Sequence, residues 1–166
     1  MPKMVLELTL NGEPAELLVQ PYATLLEALR ETAGLTGAKE GCGTGDCGAC
    51  TVQLDGKPVA SCLVLAMQAR GRQVRTVEGL VQDGTLHPVQ AAFVKHGVPQ
   101  CGFCIPGMIV SASALLEENP APSEEEIRLG IAGNLCRCTG YTKMVAAISE
   151  AAGRVAGAGQ TAGKEA

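Results

Sequence analysis

The 166-residue chain has no tryptophan, two tyrosines, two phenylalanines and two histidines. Its 13 Lys and Arg stand against 17 Asp and Glu, a formal charge of −4. Such a chain lacks both the basic face and the stacking rings that nucleic acid asks for, so no nucleic-acid partner is expected. It has no apolar run near the roughly 20 residues that cross a bilayer. Its start, Met1-Pro2-Lys3-Met4-Val5-Leu6-Glu7, shows no secretory leader and no twin arginine, so the expected location is the cytoplasm. Ser-His-Asp groupings and phosphate loops are missing as well, and no substrate-converting site is expected within the chain. What it does have is 46% hydrophobic residues, enough for a packed core, and eight cysteines. Without an export signal those cysteines are expected to be reduced, which makes metal ligation the first reading to test.

Two halves with different patterning meet near residues 77–84. In the first, Met4, Leu6, Leu8 and Leu10 alternate with Val5, Glu7 and Thr9, Asn11-Gly12 turns the chain, and Ala15 to Val19 return as a second strand. Thr24-Leu25-Leu26-Glu27 is a capping box opening a helix to about Thr32, closed by Gly34. Thr51 to Leu54, the Asp55-Gly56 turn and Val59 predict another hairpin, and Gln73 to Val77 a last strand. The second half reads as four helices: Leu86 to His96, Pro106 to Leu116, one from Ser123 ending at Gly133, and Thr142 to Arg154. The expected division is an α+β domain over 1–78, a helical domain over 84–155, and a mobile Gly/Ala-rich tail over 156–166.

Cys42, Cys47, Cys50 and Cys62 are spaced C-x4-C-x2-C-x11-C, and the first three match the plant-type [2Fe–2S] pattern. They sit among Gly41, Gly43, Gly45 and Gly48, which let the backbone approach a cluster and point N–H groups at sulfur. Zinc also accepts four cysteines, but its common modules use two C-x2-C pairs, and this set has one. Cys101, Cys104, Cys136 and Cys138 form C-x2-C and C-x-C pairs, each expected at a helix start where free N–H groups suit thiolates. For this set, spacing alone leaves iron–sulfur and zinc both open. A thioredoxin-like pair lacks its βαβ context.

Three motifs in order then resemble one family: Gly41-Cys42-Gly43-Thr44-Gly45-Asp46-Cys47-Gly48-Ala49-Cys50, Gln100-Cys101-Gly102-Phe103-Cys104, and Gly133-Asn134-Leu135-Cys136-Arg137-Cys138-Thr139-Gly140-Tyr141. The family is the iron–sulfur subunit of molybdenum hydroxylases, which includes xanthine dehydrogenase, aldehyde oxidoreductase, carbon monoxide dehydrogenase and 4-hydroxybenzoyl-CoA reductase. The resemblance covers about Lys3 to Ala152; Ile105, where Thr or Ser is more usual, departs from it. It implies a β-grasp ferredoxin-like domain followed by a four-helix domain, and a [2Fe–2S] cluster in each. It further implies that Gln100 and Cys138 face the molybdenum cofactor of a large partner subunit. Electrons would run through the two clusters to FAD on a medium partner, and the whole would be a dimer of heterotrimers. Ser61 to Ala66 point towards xanthine or another N-heterocycle. The alternatives are an aldehyde, carbon monoxide or aroyl-CoA enzyme, or a free-standing ferredoxin-like carrier.

Other charged residues read as structural. His87 and His96 are expected on a helix surface or a C-terminal turn, and Arg70, Arg72 and Arg75 on a solvated basic turn. Glu124, Glu125 and Glu126 suit a helix N-terminus, and Asp46 a turn. Since the first set lies wholly in the first half, a chain ending near Val77 is expected to keep its cluster.

Overall fold

In a computed structural model, which describes residues 2–161, the alternating N-terminal segment pairs as expected. β1 (Met4–Leu10) and β2 (Glu13–Val19) form an antiparallel hairpin in which Leu8 opposes Ala15. β3 (Thr51–Leu54) and β4 (Lys57–Ala60) form a second hairpin, and β5 (Gln73–Arg75) slots between the two. The order is β2-β1-β5-β3-β4, with β1 and β5 parallel and the other pairs antiparallel. This is the mixed sheet of a β-grasp.

The helix that crosses the sheet differs from its expected form. α1 (Leu25–Glu27) starts at the Thr24/Glu27 capping box, but Ala28–Thr32 continue as a wider π-helical turn. There Ala33 N–H reaches the Ala28 carbonyl, and Leu35 N–H reaches that of Leu29. Leu25, Leu26, Ala28 and Leu29 are buried against Leu6, Leu8, Leu17, Val19, Val52 and Val74.

The helical half contains α2 (Pro88–Lys95), α3 (Ile105–Glu118), α4 (Glu124–Gly130) and α5 (Thr142–Thr161). α4 ends three residues earlier than the sequence suggests. α5 runs beyond Arg154 to Thr161, into the stretch read as a tail, and residues 162–166 lie outside the described residues. Phe93, Met108, Leu116, Ile127, Met144 and Ile148 centre this second core. α3 is buried nearly all round, as a helix enclosed on every side must be.

One of α3's faces packs on β3 and β4, so the two halves share an interface. As a result all four residues of β3 are buried, including the polar Thr51 and Gln53. Gln53 accepts from Arg75 Nε at 2.7 Å and donates to Glu117 of α3 at 3.2 Å, and Arg75 pairs with Glu117 directly. The expected solvated basic turn is therefore an array of ion pairs, since Arg70 meets Glu7 and Arg72 meets Asp55. The segment leaving the sheet is pinned too. Asn11 holds Thr76 through its side chain, and Gln90 donates to the Val77 carbonyl. Among the described residues, no helix is long and apolar enough to cross a membrane.

Candidate metal centres

The hairpin of β3 and β4 explains the longest gap in the first cysteine set. Thr51 pairs with Ala60, so Cys50, just before that pair, and Cys62, two residues beyond it, close on one another with sulfurs 3.4 Å apart. Between them Ser61, fully buried, donates its hydroxyl to the Cys50 carbonyl at 2.6 Å. Cys42 and Cys47 make a second close pair. The Cys42 sulfur accepts from the amides of Thr44 and Cys47, each at 3.4 Å. Asp46 takes the Thr44 hydroxyl at 2.7 Å, the turn role expected of it.

The second set is paired in the same way. Cys138 and Cys101 have sulfurs 3.6 Å apart, and Cys104 shares a hydrogen bond with Cys136. Cys104 sits at the N-terminal boundary of α3, as expected. The C-x-C pair does not open α5; it lies in the irregular loop before Tyr141 and Thr142. Here other groups replace a helix end. The Thr139 hydroxyl donates to the Cys136 sulfur at 3.2 Å. The Tyr141 hydroxyl accepts from the Cys136 amide at 2.7 Å and donates to the Asn134 carbonyl at 3.3 Å. Tyr141 reaches back from a left-handed backbone, with φ +68°.

Two thiolates on one tetrahedral metal with bonds of about 2.3 Å stand roughly 3.8 Å apart, and the Cys50–Cys62 and Cys101–Cys138 sulfurs have close to that spacing. Each set thus offers one such pair with its other two cysteines in contact through hydrogen bonds, which suits the two ends of a binuclear core. Each also has an exposed side and a buried side: Cys42, Cys101 and Cys138 are exposed, while Cys50 and Cys104 are buried. The thiols respond accordingly. Hydrogen bonds from Thr44 and Cys47 pull Cys42 down to about 6. Burial, reinforced by Cys50, pushes Cys62 up to about 11, and burial with Cys136 pushes Cys104 up to about 12. Burial also acts against ionisation of Cys136, but the hydrogen bonds led by Thr139 outweigh it and leave that thiol lowered. Because metals bind thiolates, loading either set must release protons from the raised members.

The two sets are joined by a seam between the halves. Leu135 N–H donates to the Cys47 carbonyl at 2.9 Å, and the buried Asn134 side chain donates to the Gly48 carbonyl at 2.9 Å and to Thr51 Oγ at 3.2 Å. Gly48 has φ +67°, and a Cβ there would stand 2.3 Å from the Gly133 carbonyl. A Cβ on Gly107 of α3 would stand 2.3 Å from the Gly48 carbonyl. Sequence reasoning assigned no role to Asn134, Ser61 or Tyr141. The placement of Asn134 two residues before a ligand was the one available signal. Gln100 is exposed, directly before the exposed Cys101.

Two family descriptions match along the chain. Residues 8–80 match the 2Fe-2S iron-sulfur cluster binding domain, and residues 76–149 match a [2Fe-2S] binding domain. The chain belongs to the two-cluster iron–sulfur subunits of the xanthine dehydrogenase family. It is 49% identical over 156 residues to the nicotinate dehydrogenase small FeS subunit of Eubacterium barkeri, covering 94% of this chain and 99% of that one. It is 48% identical over 147 residues to the xanthine dehydrogenase iron-sulfur-binding subunit of Escherichia coli O157:H7, covering 86% and 90%. Quinoline 2-oxidoreductase from Pseudomonas putida 86 contains a chain that superposes with a TM-score of 0.91 at 48% identity, over 97% of this chain and 98% of that one. The β-grasp half, the helical half and [2Fe–2S] chemistry are thus properties of this iron–sulfur subunit, and its relatives are subunits of oxidoreductases.

Proposed function

We propose that this iron–sulfur subunit relays electrons within a molybdenum hydroxylase complex. Cys42, Cys47, Cys50 and Cys62 hold one [2Fe–2S] cluster, and Cys101, Cys104, Cys136 and Cys138 hold the other. Gln100 and Cys138 face the molybdenum cofactor of a large subunit, and FAD on a medium subunit receives the electrons. The observation that carries this reading is the pairing of eight cysteines into two sets joined by one backbone hydrogen bond, Leu135 N–H to the Cys47 carbonyl.

Each cluster, when bound, supplies a one-electron centre. The chain's own residues fix its surroundings. The Thr44 and Cys47 amides and the Thr139 hydroxyl direct positive dipole ends at sulfur, favouring the anionic ligands. Gln100 presents an amide donor and acceptor beside the exposed Cys101 and Cys138 pair, where a pterin edge can be recognised. Leu63, Phe103 and Leu135, large apolar side chains each next to a ligand cysteine, are exposed. Such residues favour a subunit that docks over its partners, and they weigh against a free-standing carrier. Xanthine or another N-heterocycle is the proposed substrate, a reading supported by relatives named for nicotinate and xanthine.

The test is metal and sulfide analysis of the purified complex with identification of its larger subunits. Two irons and two acid-labile sulfides are expected for each of the two matched domains. Zinc in place of iron, or no labile sulfide, would overturn the reading.

A further inference from the structure

We propose that Asn134 is a positioning residue through which the helical half holds the first cluster's ligand loop in its working conformation. The inference rests on the two-cluster reading and goes beyond it. In the first set the Cys47 amide bonds the Cys42 sulfur and the Cys50 sulfur meets that of Cys62, so the Cys47–Cys50 turn joins the two parts of the ligand set. That turn folds around the Gly48 carbonyl. Within the first half, the carbonyl accepts from the Thr51 hydroxyl at 2.7 Å and from the Thr51 amide at 3.1 Å.

The Lys39 amide holds the Ala49 carbonyl at 3.0 Å from within the same half, and a further grip on the turn comes from the other half of the molecule. Asn134, only 3% exposed, donates its side-chain amide both to the Gly48 carbonyl and to Thr51 Oγ. The next residue donates its amide to the Cys47 carbonyl. Gly107 comes so close to the Gly48 carbonyl that no side chain fits between them.

Asn134 is itself anchored at the second set. Its carbonyl accepts from the Tyr141 hydroxyl, which also accepts from the Cys136 amide. The path therefore runs from a ligand of the second set, through Tyr141 and Asn134, to the turn bearing two ligands of the first. Order in the helical half becomes order in the first cluster loop. A chain ending near Val77 would contain all four ligands of the first set but lose every contact from Gly107, Asn134 and Leu135. It would then hold that cluster more loosely than its sequence suggests.

The experiment uses the full chain loaded with both clusters, in wild-type form and as Asn134→Ala and Asn134→Asp. Aspartate keeps the shape of the side chain and removes both donors. Iron and sulfide content of the wild-type protein tests the two-cluster reading by itself. Release of iron to a chelator is then followed separately at each cluster by the paramagnetic signals of frozen, reduced samples. Loss of the two buried hydrogen bonds should speed release from the first cluster about tenfold and shift its signal, while the second cluster's signal and release rate stay as in wild type. Unchanged release from the first cluster, or equal acceleration at both, would overturn the proposal. Should Asn134→Ala fail to fold, Asn134→Asp is read by the same criteria.

Discussion

His87 shows what a single side chain does here that its sequence context hid. It caps α2, with Nδ1 accepting from the Val89 amide, rather than lying on the helix surface. Burial holds its pKa below the ordinary value; Glu117 opposes this and Arg75 adds to it. Since the folded pKa is depressed, the unfolded chain takes the proton first. The stability His87 provides is thus present above the unfolded value of about 6.5 and is lost as pH falls from there towards the lower folded value. Protonation of Nδ1 also removes the cap acceptor. Thermal unfolding followed from pH 7 to pH 5 should show a smaller loss for His87→Asn than for wild type, because asparagine caps well and does not titrate. The two [2Fe–2S] domains, by contrast, were legible, because the C-x4-C-x2-C and C-x2-C spacings are local and thiolate chemistry constrains them. Asn134 and Ser61 were not, because their partners lie across the fold at Gly48, Thr51 and Cys50.

Among the elements, those built from local signals came out closest to expectation. The Asn11-Gly12 and Asp55-Gly56 hairpins and both serine or threonine capping boxes lie where the residues placed them. Ser123 accepts from the Glu126 amide, while its own amide and hydroxyl donate to the Glu126 carboxylate and hold that carboxyl below its usual range. Ser123→Ala should therefore cost about 1 kcal/mol in denaturant unfolding and leave iron content unchanged, since α4 carries no ligand. β3 lies where expected, and what its residues did not show beforehand is its burial on both faces. Its alternation, with Thr51 and Gln53 polar, reads as a strand with one wet face. Only α3, 50 residues further on, turns that face into an interior one, and Gln53 meets the demand by bonding Arg75 and Glu117. The C-x-C loop misled for a related reason: Tyr141 does the work assigned to a helix terminus, and nothing short of the folded loop shows it.

For the whole molecule, the arrangement of exposed and buried cysteines supports a direction for the proposed relay. The second set presents Cys101 and Cys138 outward beside Gln100, while Cys136 continues through Leu135 to the first set. Substrate electrons are expected to reach the second cluster first and the first cluster next, on the way to flavin. Gln100→Ala should slow reduction of the second cluster by substrate with both clusters assembled, as read in rapid-mixing spectra of the complex. Cys47→Ser should leave that first step intact and block onward transfer. If substrate electrons failed to reach the second cluster in the Cys47 variant, the order would be the reverse. The strand buried on both faces has another consequence, for the integrity of the backbone itself. Residues 81–86 form an exposed connection between the halves, whereas β3 against α3, Arg75 with Glu117, and Asn134 over Gly48 all bind across it. A protease cutting at 81–86 would sever the chain without separating its pieces. The two fragments should co-elute as a non-covalent pair, and the first-half fragment expressed alone should hold its cluster more firmly once the other is added.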